Sequence, residues 1–336
     1  MKRLLQYSLG ALLLISGWHI QAAEDCSADG NVQFLCGPVS PEDLAQIPDS
    51  PWVIASGMED DGYLYFTHSD ELSSIAVYPS PTAAHDLHSL YADCPGPLST
   101  GFRPHGVNLI PGDNGIHTLL VVRHGDRESI EIFEIEETAG TPGISWIGCV
   151  MAPEGIVFNS VVATPEQGMA ATHMNLPLGA VYEWQPGGDW EQVPGSVSAG
   201  PNGIEISPDG NWFYIGGWGT RSIIKLSRGQ SNVEVESVDL PHHVDNVRWA
   251  TDGSLLAAGH VGPEANSIIA CLSQQQCAGV SSRVTRIDVN NLTAREIIDY
   301  PSNPMFLLGT VAIEVGDEVW VGGIAGSNRI ARFEYR

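Results

Sequence analysis

Positive charge is scarce in this chain. Fifteen Lys and Arg stand against 40 Asp and Glu over 336 residues, for a formal net charge of −25. Such a surface repels nucleic acids and anionic membranes, which excludes DNA and RNA as partners, and it favours a bound cation. Long apolar runs are missing beyond the first residues. There Lys2 and Arg3 precede an apolar stretch over 9–15, and Ala22 and Ala23 precede Glu24. This order reads as a secretory signal peptide over 1–23, cleaved near Ala23; the run is short for a membrane anchor. The rest, 24–336, is expected to be one exported domain, periplasmic or secreted, with no stable membrane insertion after cleavage. Its length suffices for a large core.

Other absences narrow the chemistry. The six cysteines, Cys26, Cys36, Cys94, Cys149, Cys271 and Cys277, contain no C-x-x-C spacing and have no histidine pair beside them at ligand spacing. A zinc site is thereby disfavoured, and an even count in an exported chain predicts disulfides. Cys26–Cys36 and Cys271–Cys277 make local loops, and Cys94–Cys149 follows by elimination. A Gly-x-Ser-x-Gly motif is absent, which argues against a nucleophilic serine. Helical periodicity is also scarce, with at most a turn or two over 81–90.

Glycine and proline, by contrast, are abundant, at 37 and 22, and spread along the chain. Short β-branched and aromatic runs lie between them, over 52–55, 63–67, 118–123, 129–135, 155–163, 212–216, 222–226, 254–258, 284–289 and 318–322. Turn pairs such as Asp61-Gly62, Asp209-Gly210 and Asp252-Gly253 separate strands of this kind. The runs fall into six packets of about fifty residues, the period of four-stranded propeller blades. The fold is therefore expected to be all-β, a six-bladed β-propeller; a pair of sandwiches is the competing architecture.

Polar residues mark the packet starts. Glu42, His105, Asn159, Asn202 and Asp245-Asn246 each stand beside an apolar run, at intervals of 63, 54, 43 and 43 residues. The first strand of each blade lines the propeller axis, so these side chains should converge. Glu42, Asn159, Asn202, Asp245 and Asn246 would offer two carboxylates and three amide oxygens, the hard ligands that calcium takes. Any one of them alone reads more simply as a turn former.

Residues 201–210 (PNGIEISPDG), together with Pro104-His105-Gly106-Val107, the segment 119–126 (LLVVRHGD) and the segment 130–133 (IEIF), resemble the paraoxonase and gluconolactonase superfamily, which includes the senescence-marker protein and luciferin-regenerating enzymes. The resemblance runs from Pro41 to the last strands. It implies a six-bladed propeller with a catalytic calcium on the same five residues, and a histidine dyad at His105 and His124. It also implies hydrolysis of a small-molecule lactone or ester, with His105 as the base and Asp245 as the alternative. The family's second, structural calcium would fall on carboxylates at Asp43 and position 160, but position 160 is Ser160, which leaves that site one carboxylate short. The family's disulfide between first and last strands has no counterpart, since no cysteine follows Cys277.

Each feature has a plainer reading. The histidines could bond loop backbone, with His242-His243, His85 and His88 as surface or loop residues and His173 near the pocket. Trp184, Trp212, Trp218 and Trp249 would be blade packing. The whole chain could be a non-catalytic binding propeller whose calcium is structural.

Overall fold

Alternating apolar residues and turn-forming glycines give the chain short antiparallel strands that bury both faces. The structure, a computed structural model, describes residues 26–98 and 100–335; the expected signal segment lies outside the described residues. The strands form six sheets. Their inner strands are Pro41–Gln46, Phe102–Ile110, Val161–Thr164, Pro201–Ile206, His243–Trp249 and Leu308–Val315, numbered here as blades 1 to 6. Each inner strand touches the next, and the sixth touches the first, so the ring is closed. This is the expected all-β, six-bladed propeller.

Apolar side chains fill every seam between blades. Ile54, Leu64 and Phe66 meet Val107, Leu119 and Trp146 between blades 1 and 2, and Leu44 and Val53 meet Val311 and Trp320 between blades 6 and 1. Trp184, Trp212 and Trp249 belong to this packing. Closure comes from strand pairing. The N-terminal strand Gln33–Cys36 pairs antiparallel with Arg329–Glu334 and completes blade 6. Cys26–Cys36 ties down its end, and Cys94–Cys149 and Cys271–Cys277 also form, as the cysteine spacing predicts. Three disulfides fit an oxidising, extracytoplasmic compartment.

Two local expectations need correction. The run 155–163 is a strand only from Val161. Gly155 turns at φ +80°, and residues 157–160 carry Asn159 toward the axis instead of joining the sheet. An α-helix also appears at Ala265–Gln274, where strands alone were expected. It follows the second strand of blade 5. Its Ile268 and Cys271 pack with Leu308 and Ile324, and Met58 of blade 1 and Trp218 of blade 4 join them. Trp218 therefore packs under this helix rather than within a blade. Among the described residues no helix is long and apolar enough to cross a membrane.

Candidate functional site

The site is built by a backbone irregularity repeated around the ring. In five inner strands the pairing with the second strand slips between Pro41 and Asp43, Pro104 and Val107, Pro201 and Ile204, Val244 and Val247, and Gly309 and Val311. A bulge leaves residues unpaired and re-aims their side chains. The bulged residues are Glu42, His105-Gly106, Asn202-Gly203, Asp245-Asn246 and Thr310. In blade 3, Asn159 holds the equivalent place, its N–H donating to Thr172 O at 2.8 Å. Proline precedes the bulge in three blades; having no N–H, it suits a point where the ladder breaks. A Cβ on Gly106 would sit 2.6 Å from Asn159 O, and one on Gly203 2.6 Å from Val247 N, so glycine there lets neighbouring blades approach.

The structure brings all five expected ligands and His105 together. Asn246 Nδ2 donates to Glu42 Oε1 at 2.6 Å, and Asn202 Nδ2 donates to Asp245 Oδ1 at 2.8 Å. His105 Nε2 lies 3.7 Å from Glu42 Oε1 and 3.5 Å from Asn159 Nδ2. Main-chain carbonyls are fixed as well, Glu42 O by Thr310 Oγ1 at 2.6 Å and Asn202 O by Thr172 Oγ1 at 2.5 Å. Four acceptors in this cluster are buried without a donor: Glu42 Oε2, Asn159 Oδ1, Asn202 Oδ1 and Asn246 Oδ1. Orphaned buried acceptors are costly, and a cation would satisfy several at once. Among the described residues no group of three or more His, Cys, Asp and Glu stands at metal-binding spacing. A set of two carboxylates and three amides is outside that class.

The electrostatics point the same way. Burial, then the charges of Asp43 and Asp245, push the Glu42 carboxyl well above its ordinary range, against the Asn246 hydrogen bond. Burial raises Asp245 to about 7, opposed by Asn202. Arg248 offsets this only in part at Glu42, and neither carboxylate accepts a hydrogen bond from a cation. Burial lowers His105 well below the usual imidazole range, and His124 and Arg103 lower it further, so His105 is neutral at pH 7.

His105 and His124 form the expected pair, with Nδ1 of His105 2.9 Å from Nε2 of His124. Sequence reasoning missed the next member. Glu128 Oε2 lies 2.7 Å from His124 Nδ1, across a turn with no motif to flag it. It also missed His260, buried with both ring nitrogens unpartnered and Nε2 3.7 Å from Asp245 Oδ2. Burial lowers His260 to about 3.

Immediately below, Asp43 turns the other way along the axis. Its carboxylate accepts from Val107 N at 2.7 Å, from Leu44 N at 2.9 Å and from the Arg248 guanidinium. Arg248 also donates to Val107 O and Val247 O, at 2.7 and 2.8 Å, and stands 3.5 Å from Glu205. Leu44, Val107, Glu205 and Arg248 border a cavity of about 330 Å³. Ser160 is buried, and its Oγ has no hydrogen-bond partner.

The remaining histidines divide. His85 and His88 are exposed, as expected. His242 is not a surface residue: it is fully buried, and burial lowers it to about 4. His243 accompanies it, half-buried and 2.6 Å from Trp218 O. His173 bonds Val157 O at 2.8 Å and so braces the segment that delivers Asn159.

The architecture recurs in solved structures at low identity. A luciferin-regenerating enzyme is similar with a TM-score of 0.56 and 13% identity, over 90% of this chain and 94% of its own. A streptogramin B lyase gives 0.52 and 14%, over 90% and 96%. A calcium-binding protein, regucalcin, from Agrobacterium tumefaciens gives 0.51 and 12%, over 90% and 92%. No protein-family model and no curated protein sequence matches the chain. What these likenesses establish is the six-bladed propeller, a fold that carries unrelated reactions.

Proposed function

We propose that this chain is an exported, calcium-dependent hydrolase that opens lactones or cleaves related esters. The observation that carries the reading is the set of four unpartnered acceptor oxygens buried around His105 and Asp245. Glu42, Asn159, Asn202, Asp245 and Asn246 would hold one calcium ion, since it takes six to eight oxygens and leaves room for water or substrate. Regucalcin, of the same fold, is described as calcium-binding. Calcium bound there supplies Lewis-acid polarisation of an ester carbonyl and of the oxyanion that develops. Neutral His105 accepts a proton from the attacking water through Nε2, and His124 holds its ring from behind. Asp245 is the alternative base. Arg248 neutralises Asp43 where a second, structural ion would otherwise lie, so one ion is expected per chain. The disulfides, with the leader expected over 1–23, support export to the periplasm or out of the cell.

One observation favours a second reading. Glu42 and Asn246 are 1% and 0% exposed. A cation enclosed so fully would serve structure alone, in a propeller that binds a ligand or partner on its face. The separating experiment is hydrolysis of a panel of aliphatic lactones, acyl-homoserine lactones, sugar lactones and aryl esters, with calcium or chelator. Chelation should abolish turnover. His105→Gln should keep calcium binding and lower kcat by about 10²–10⁴-fold. An active His105→Gln beside a calcium-loaded but inert Asp245→Asn would transfer the base to the carboxylate. Calcium binding with no turnover of any substrate would establish the structural reading.

A further inference from the structure

We propose that Glu128 is a positioning residue that fixes the tautomers of His124 and His105 and so keeps a bare imidazole nitrogen aimed into the site. The catalytic consequence rests on the hydrolase reading; the tautomer itself does not.

The sequence of hydrogen bonds has a direction. Glu128 lies in the loop between Ile116–Gly125 and Ser129–Glu136, the second and third strands of blade 2. Its Oε2 is 2.7 Å from His124 Nδ1. A carboxylate oxygen can only accept, so Nδ1 of His124 carries the proton. When the imidazole of His124 carries this one proton, its Nε2 is bare and accepts from the atom 2.9 Å away, Nδ1 of His105. His105 therefore carries its proton on Nδ1 and leaves Nε2 bare. That nitrogen faces the Asn159 amide nitrogen at 3.5 Å, while the acceptor Glu42 Oε1 stays farther off at 3.7 Å. A proton on His105 Nε2 would instead aim a donor at Glu42 and remove the lone pair that takes a proton from water.

Among the described residues, no other side chain hydrogen-bonds His124 Nδ1. Arg127, next to Glu128 in sequence, is turned to Glu131 in a two-pronged contact at 2.7 and 2.8 Å. The Glu128 side chain is one-third exposed, at 32%, and the only loop contact of its main-chain carbonyl is the Ala152 N–H. Replacing the side chain therefore leaves the backbone contact intact. Sequence alone would class Glu128 as a solvated surface acid. Its place at the outer end of a file of two rings gives it a different task, setting which nitrogen is free at the inner end. Partners that orient a functional imidazole in this way carry a substantial part of its effect.

The test uses the whole exported chain with two substitutions. Glu128→Leu removes the acceptor; Glu128→Gln keeps an acceptor oxygen without the charge. Imidazole 15N shifts of His105 and His124, assigned with His105→Gln and His124→Gln, report the tautomers directly. Isothermal titration with calcium chloride and thermal denaturation check that site and fold persist. The wild type should show both protons on Nδ1. In Glu128→Leu, His105 should populate the Nε2–H form, and kcat on the panel substrate turned over fastest should fall roughly 10–100-fold with KM and calcium affinity little changed. Glu128→Gln should restore most of both. An unchanged Nδ1–H pattern with unchanged kcat in Glu128→Leu overturns the proposal. If the wild type hydrolyses nothing, the hydrolase reading falls and the 15N pattern alone decides the role of Glu128.

Discussion

Two clusters of buried acids sit one residue apart on the same strand, and they are balanced in opposite ways. Below, Asp43 and Glu205 share the guanidinium of Arg248; the Asp43 carboxylate also accepts from Val107 N, and the guanidinium donates to Val107 O. Above, the side-chain hydrogen bonds to Glu42 and Asp245 come from amides, their histidine neighbours stand at 3.7 Å, and four acceptor oxygens of the cluster lack a donor. Burial raises Asp43, but Arg248 pulls it back; Glu42 goes well above its range, with Asp43 and Asp245 adding to burial. The lower level thus carries its cation within the chain. The upper level has the oxygen atoms for one, and under the proposed function it takes that ion from solution. A built-in cation is permanent and saturated, whereas a borrowed one leaves coordination positions that a substrate can share.

Removing the built-in cation gives the largest effect. Arg248→Met leaves Asp43 and Glu205 buried without a counter-charge, and breaking such a pair costs about 3–5 kcal/mol. Urea denaturation in saturating calcium should show that loss. Full recovery on raising calcium would mean that the ion can enter the lower level, and the two clusters would then be one site.

The borrowed cation should contribute less. Calcium at a hundred times its Kd stabilises the folded chain by about 2.7 kcal/mol, if it binds only the native form. Glu42→Gln should abolish most of that gain while leaving urea stability in chelator close to the wild type, because the neutral amide replaces an acid that burial already disfavours. Equal calcium protection in the wild type and in Glu42→Gln would place the ion away from this cluster.

The upper level was legible in the sequence and the lower was not, for a physical reason. Glu42, His105, Asn202 and Asp245-Asn246 each stand in an inner-strand bulge, behind a proline in the first three, and Asn159 holds the equivalent place before its strand, all at blade spacing. Five repetitions make a pattern even without repeated sequence. Arg248 of blade 5 meets Asp43 of blade 1 across 205 residues, so nothing local distinguishes it from any strand arginine. His260 and Glu128 are similar: each acts through one neighbour on an adjacent element. His242 was misread because it borders a turn, whose residues are usually exposed, yet it lies just before the inner strand of blade 5 and points inward. The helix Ala265–Gln274 escaped because a ten-residue insertion carries too little periodicity to stand out among strands.

The smallest expected effect is the dependence of calcium affinity on pH, and it separates the levels most cleanly. Asp245 has its carboxyl raised from an ordinary 3.8 to about 7 in the folded chain. Between those values the calcium-free folded protein holds a proton that the unfolded chain has lost. The protonated carboxyl therefore favours the fold below the ordinary value, and that contribution is lost as pH rises through about 7. A cation needs the ionised form, so its binding strengthens over the same upward path and releases the proton. With Asp245 as the only titrating ligand, affinity should rise about tenfold from pH 6 to pH 8, or about 1.4 kcal/mol. Glu42, raised for the same reason, steepens the slope beyond that value. Arg248 has no such dependence: burial opposes its charge, but Asp43, Glu205 and Glu42 hold its pKa above the ordinary guanidinium value. Titration calorimetry at pH 6, 7 and 8, in two buffers of different ionisation enthalpy, measures both the affinity and the protons released. Asp245→Asn should bind more weakly and with a shallower slope. A wild-type affinity that is flat across this range, with no proton release, would mean that the ion does not rest on these carboxylates.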